Sequence, residues 1–139
     1  MITTGLTQFL NATQAITALV GNNIMPLPAP MDLSSYPCIT YQVVSDIPQG
    51  FALDGRYINV TDTRINFDCL ASSKNSTTAY TTARQIALTL KSALNGLSGA
   101  LPDGTKVFSS SYQSMNDGYN DSEQLSFCSV QFTFTYQDQ

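Results

Sequence analysis

Asp117, Asn120, Asp121 and Glu123 form the one oxygen-rich cluster in this sequence. A calcium ion needs about six to eight converging oxygens. The spacing does not match an EF-hand loop, and the alternative reading is a solvated hairpin tip. Histidine is absent. That removes the imidazole which takes the proton of a serine or cysteine nucleophile, and with it the commonest zinc ligand. Cys38, Cys69 and Cys128 are far apart, and no two have metal-ligand spacing. Each lies in an apolar, strand-like stretch and reads as a buried thiol in a reducing compartment. A carboxylate pair for glycoside hydrolysis is possible by residue type, but it needs a deep cleft that a short chain has little volume to build. The expectation is a protein without catalytic residues, metal or cofactor.

The 139 residues carry 6 Lys+Arg against 10 Asp+Glu, a net charge of −4. The basic residues are scattered, so a nucleic acid would find no cluster able to displace its counterions. No glycine-rich loop precedes a helix, which argues against a phosphate cradle. Ser, Thr, Asn and Gln make up 50 residues, so the surface is polar through neutral groups. No Lys or Arg precedes Arg56, no signal-peptide pattern opens the chain, and no apolar run approaches the roughly 20 residues that span a bilayer. The apolar share of 42% is enough for a core, and the length suits one domain over residues 1–139.

The elements that must position these residues follow from periodicity. Thr3 or Thr4 is a candidate cap for a first helix. Leu6, Phe9, Leu10, Ile16, Leu19 and Val20 form its apolar stripe, and Gly21 its stop. Pro26, Pro28 and Pro30 predict an extended, poorly paired stretch from Ile24 to Tyr36. Alternation predicts strands over Cys38–Val44 and Arg64–Leu70. Between them, Asp46–Asp62 reads as a long loop or hairpin projecting from the sheet, with a possible short strand at Tyr57–Val60. Its Phe51, Leu53, Tyr57 and Ile58 are either contact points or fold back over the sheet edge.

Ser72–Thr78 reads as a polar linker, with Ser76 or Thr77 capping a helix to about Leu94. Its buried stripe is Ala79, Ala83, Ile86, Leu90, Ala93 and Leu94, and Asn95-Gly96 stops it. Lys106–Met115 reads as a strand, Asn116–Glu123 as an acidic turn, and Gln124–Tyr136 as the longest strand. Cys128, Val130, Phe132, Phe134 and Tyr136 share one face of that strand, while Leu125 and Phe127 break the alternation and suggest a bulge or an exposed start. The fold class is α+β: a mainly antiparallel sheet of four to five strands, two helices packed on one face, and a long projecting loop.

Several segments in this order resemble a known family. The first helix ends Ala18-Leu19-Val20-Gly21, followed by Ile24 and a proline-bearing loop. Tyr36-Pro37-Cys38-Ile39-Thr40-Tyr41 enters the first strand. Phe67-Asp68-Cys69-Leu70-Ala71 leads through a polar gap to an alanine-rich helix ending Ala93-Leu94-Asn95-Gly96, and a long aromatic strand closes the chain. This is similar to the tail-completion, or tail-terminator, proteins of long-tailed bacteriophages.

The resemblance implies a structural virion protein and no enzyme. It implies a ring, commonly of six copies, that caps the head-proximal end of the tail tube and stops its polymerisation. Its partners would be the tail-tube protein and the head–tail connector, with DNA passing through the lumen unheld and no membrane involved. The location would be the phage neck, after assembly in the host cytoplasm. Another connector or tube component, or a small carbohydrate-binding or hydrolytic domain, is the alternative. On that reading, Gln49, Phe51, Leu53, Asp54, Arg56 and Tyr57 contact the tube or a neighbouring copy. Asp117, Asp121 and Glu123 then face the lumen or the head-side rim.

Overall fold

Apolar residues near the start of the chain recur at helical spacing, but the phase slips. Leu10 and Ile16 are six residues apart, which on a straight helix leaves them about 120° out of line. In the computed structural model, which describes residues 2–27, 36–48, 60–74 and 77–137, the expected single helix is accordingly two. These are α1 (Ile2–Asn11) and α2 (Gln14–Val20). Thr13 lies between them in an extended conformation, φ −89° and ψ 108°. Its hydroxyl donates to the Phe9 carbonyl at 2.9 Å and its own carbonyl accepts the Ile16 and Thr17 amides of α2. The break lets Leu6, Leu10, Ile16 and Val20 all reach the core. Thr3 and Thr4 lie inside α1 and do not cap it. Gly21, at φ 62°, ends α2 as expected.

Six strands form one sheet in the order β1-β2-β3-β6-β5-β4. The proline-bearing stretch does pair at its start: β1 (Ile24–Pro26) runs parallel to β2 (Cys38–Pro48), Ile24 opposite Ile39. All other pairings are antiparallel. β2 and β3 (Thr61–Ser72) are longer than their alternation predicts and stay paired out to Pro48 opposite Thr61, so Asp46–Pro48 and Thr61–Asp62, expected in the Asp46–Asp62 loop, are strand, and residues 49–59 of that loop lie outside the described residues. The possible strand at Tyr57–Val60 falls on residues 57–59, outside the described residues, and Val60 is not in a strand. α3 (Ala79–Leu94) begins one to two residues later than expected, after Thr78, which makes no side-chain cap. β4 is Gly99–Ala100. The described residues form three helices and six strands, still α+β, in place of the expected two helices and four to five strands.

β5 (Lys106–Asn120) and β6 (Leu125–Gln137) correct the reading of the C-terminal hairpin. The acidic stretch from Asn116 is strand up to Asn120, and only residues 121–124 turn. Bulges lie on β5, near Phe108 and Gln113, and not on β6. They reset the alternation so that Val107, Ser110, Tyr112 and Met115 stay on the side of the helices. Leu125 is buried, so the start of β6 is not an exposed apolar end.

All three helices cover the same face. α3 turns Ala79, Ala83, Ile86, Ala87, Leu90 and Leu94 inward, with Ala93 only half-buried. Its alanines allow close approach to Phe67, Val130 and Phe132 beneath. Phe67 and Phe132 meet edge-to-face at 5.9 Å between ring centres, and Phe134 lies 5.9 Å from Phe132. The C-terminal end of α3 is finished by the sheet: Ser110 donates its hydroxyl to the Leu94 carbonyl and accepts the Leu97 amide at 2.7 Å. That accounts for a serine in a strand core, and Gly96, at φ 76°, makes the exit.

Candidate interaction surfaces

The first set of expected contact residues, Gln49, Phe51, Leu53, Asp54, Arg56 and Tyr57, lies outside the described residues. The structure describes what carries them, the open end of the β2–β3 hairpin. There Ile47 is 59% exposed and Val44, left out of register by a bulge, is 51% exposed. Sequence patterning gave no signal for these two, because Val44 ends an alternating strand that reads as core and Ile47 falls in the stretch read as a loop.

The second set separates. Asp121 and Glu123 are exposed in the 121–124 turn, where the Asn120 side-chain oxygen accepts the Ser122 hydroxyl and the Glu123 amide. Asp117 is on strand β5, on the side facing α3. Its carboxylate accepts the Tyr80 hydroxyl at 2.6 Å and lies 3.4 Å from an Arg84 nitrogen. The hydrogen bond to Asp117, with its negative charge, holds the Tyr80 phenol above its ordinary range. The cluster therefore does not converge, and among the described residues no three of His, Cys, Asp and Glu group as metal ligands. Tyr119 joins the same seam through Ser73, hydroxyl to hydroxyl at 2.9 Å, and Lys91 lies over the Tyr112 ring, 4.3 Å from its centre.

No described helix packs on the opposite face of the sheet. It presents Asp62, Arg64, Asn66 and Asp68 of β3 against Thr135, Thr133, Gln131 and Ser129 of β6, each directly opposite the other. The rungs are hydrogen-bonded: Thr135 donates to Asp62 at 2.6 Å, Ser129 donates to Asp68, and the Asn66 amide donates to Asp68 at 3.1 Å. Asp62 and Asp68 share this face with Arg64 and Lys106, so its described residues carry two charges of each sign. At one end it closes over. Cys38 and Thr40 are fully buried, Thr40 with no hydrogen-bond partner for its hydroxyl among the described residues, and the Phe127 ring lies over Gly118, where a Cβ would come within 2.6 Å of it.

The three thiols are buried. Burial pushes Cys38 up to about 12 and raises Cys69 and Cys128 as well, so all three are protonated and poor nucleophiles near neutral pH.

Both long sides of the sheet are only partly covered. β1 and Leu27 pair with β2 as far as Tyr41, which leaves Gln42–Pro48 without a partner on that side among the described residues. A groove of about 500 Å³ lies beside this edge, lined by Thr3, Pro26, Leu27, Tyr41, Gln42 and Val43. On the other side β4 covers Lys106 and Val107, and Gly96 and Asn95 bond Ser110 and Tyr112. From Gln113 to Asn120 the outer edge of β5 has no strand beside it among the described residues.

No described helix is long and apolar enough to cross a membrane. Comparison with curated protein sequences gives no match. Among solved structures, a chain of the "Virion of native gene transfer agent (GTA) particle" has this fold, with a TM-score of 0.68 at 16% identity over 94% of this chain and 90% of that one. Residues 4–137 match the family described as Tail completion protein gp17. The chain therefore belongs to that family of structural phage tail proteins.

Proposed function

We propose that this protein acts as a ring on the head-proximal end of the phage tail tube. The ring ends tube polymerisation and presents a surface to the head–tail connector. The observation that carries this reading is the family match over residues 4–137. The ring of six copies, the capping step and the passage of DNA come from the resemblance to tail terminators. The geometry supports them in two ways. Among the described residues the chain's two sheet edges, Gln42–Pro48 of β2 and Gln113–Asn120 of β5, have no partner strand and lie on opposite sides, as head-to-tail contacts in a ring require. Its bare face carries hydroxyls, amides and balanced charge with no cluster of cations, a surface along which DNA would slide without releasing counterions. Assembly takes place in the host cytoplasm, and the Gln49–Tyr57 segment meets the tube or a neighbour. The turn at Asp121 and Glu123 stays at the lumen or head-side rim, whereas Asp117 serves to tie β5 to α3.

Electron microscopy of particles made without this protein tests the reading. Overlong tails unattached to heads are expected, and tails of normal length joined to heads would overturn it. A variant lacking Gln49–Gly55 should fold and fail to cap. Purified protein forming open-ended tubes would favour a tube subunit instead.

A further inference from the structure

The two open edges differ in strand direction and in height. Between β2 and β5 the sheet reverses three times, so the two strands run in opposite directions. A rotation about an axis roughly along the strands keeps each strand's direction. It therefore brings β5 of one copy beside β2 of the next in antiparallel orientation, the better of the two ladder geometries. It also keeps all helices on one side of the resulting wall and the polar face of every copy on the other.

The open part of β2, Gln42–Pro48, is level with Gln131 to Tyr136 of β6, whereas that of β5, Gln113–Asn120, is level with Leu125 to Gln131. Matching them displaces neighbouring copies along the strands by about six residues, roughly 20 Å at ~3.3 Å per residue. Stagger of this kind is what tilted strands need to close around an axis. Exposed, unpaired strand edges are templates for further pairing, and proteins that must stay single guard them with charge. Here the β2 edge carries Val44 and Ile47 in the open with a single charge, Asp46, between them, and Leu27 is exposed beside the groove. The groove supplies a place for side chains of an added strand next to the backbone that would bond it.

We infer that the exposed edge of β2, Gln42–Pro48, with its adjoining groove, receives the β5 edge, Gln113–Asn120, of a second copy of this chain, so that the sheets of neighbouring copies run on into one another. The inference rests on the ring reading and names the contact that builds the ring. Disulfide trapping in assembled tails tests it. Ser45→Cys or Ile47→Cys is combined with Ser114→Cys or Asn116→Cys, so that the four pairs sample adjacent registers. The native thiols are buried and leave the background low.

Oxidation should give, for at least one pair, a ladder of covalent multimers extending beyond the dimer, with none from the single-cysteine variants. Val44→Lys should keep the melting temperature of the parent and lose at least tenfold in incorporation into tails. Rings visible on the tails with no ladder from any pair, a ladder stopping at the dimer, or normal incorporation of Val44→Lys would overturn the edge contact and leave the ring standing. Tails without any ring of this protein would overturn the ring reading itself.

Discussion

The two faces of the sheet are made of the same strands yet held in different ways. Along β6, Phe132 is fully buried beneath the helices, while Thr133 looks out on the bare side. On the covered face the cohesion is rings and alanines in close contact, where a missing atom leaves a void. On the bare face it is a row of cross-strand hydrogen bonds that water could largely replace. The comparison shows how a one-layer sheet can have a rigid body and still present a long polar wall. The packing that fixes the backbone is all on one side, which frees the other side to be chosen for what it faces.

The sharpest way to break this distinction is to truncate neighbours. Phe132→Ala should lower unfolding free energy by about 3–5 kcal/mol in denaturant titration, whereas Thr133→Ala should stay within about 0.5 kcal/mol. Comparable losses at both positions would erase it. Asp68→Ala, which removes the acceptor of Ser129 and Asn66, should cost about 1–2 kcal/mol. Thr40 refines the picture, since it belongs to the bare face but is buried there with an unpartnered hydroxyl. Thr40→Val should be neutral or stabilise by about 1 kcal/mol, and a clear loss would point to a bond that the hydroxyl makes after all.

The smallest effect lies at the rim where α3 meets β5. The Tyr80 phenol is raised in the fold through its bond to Asp117, so this contact favours the native state at pH below the ordinary phenol range. The benefit fades as pH rises through the shifted value. Ring-labelled NMR titration should show Tyr80 ionising later than an ordinary tyrosine and returning towards its usual range in Asp117→Asn.

What could be read from the sequence divides along the same line. The buried stripes of α3 and β6 were legible because apolar residues repeat at the period of their element: Ile86, Leu90 and Leu94 on the helix, Val130, Phe132 and Phe134 on the strand. The outer ends of β2, β3 and β5 were not. Asn116-Asp117-Gly118 has the composition of a turn, yet pairing with Ser129, Cys128 and Phe127 keeps it in the ladder. The partners that hold Asp117, Tyr80 and Arg84, come from a helix more than 30 residues earlier, and no local pattern announces them. The split between α1 and α2 was visible only as a slip in phase between Leu10 and Ile16. The open edges had no signature at all, because which strand ends a sheet is a property of topology.

That topology has a consequence for how the protein comes into being. β6, the last of the six strands, lies between β3 and β5 and completes the ladders of both. Until β6 has been made, β3 has no strand on one flank and the aromatic layer lacks Phe132 and Phe134 at its centre. Closing the β3–β6 ladder joins segments far apart along the chain, which makes it a slow, late event.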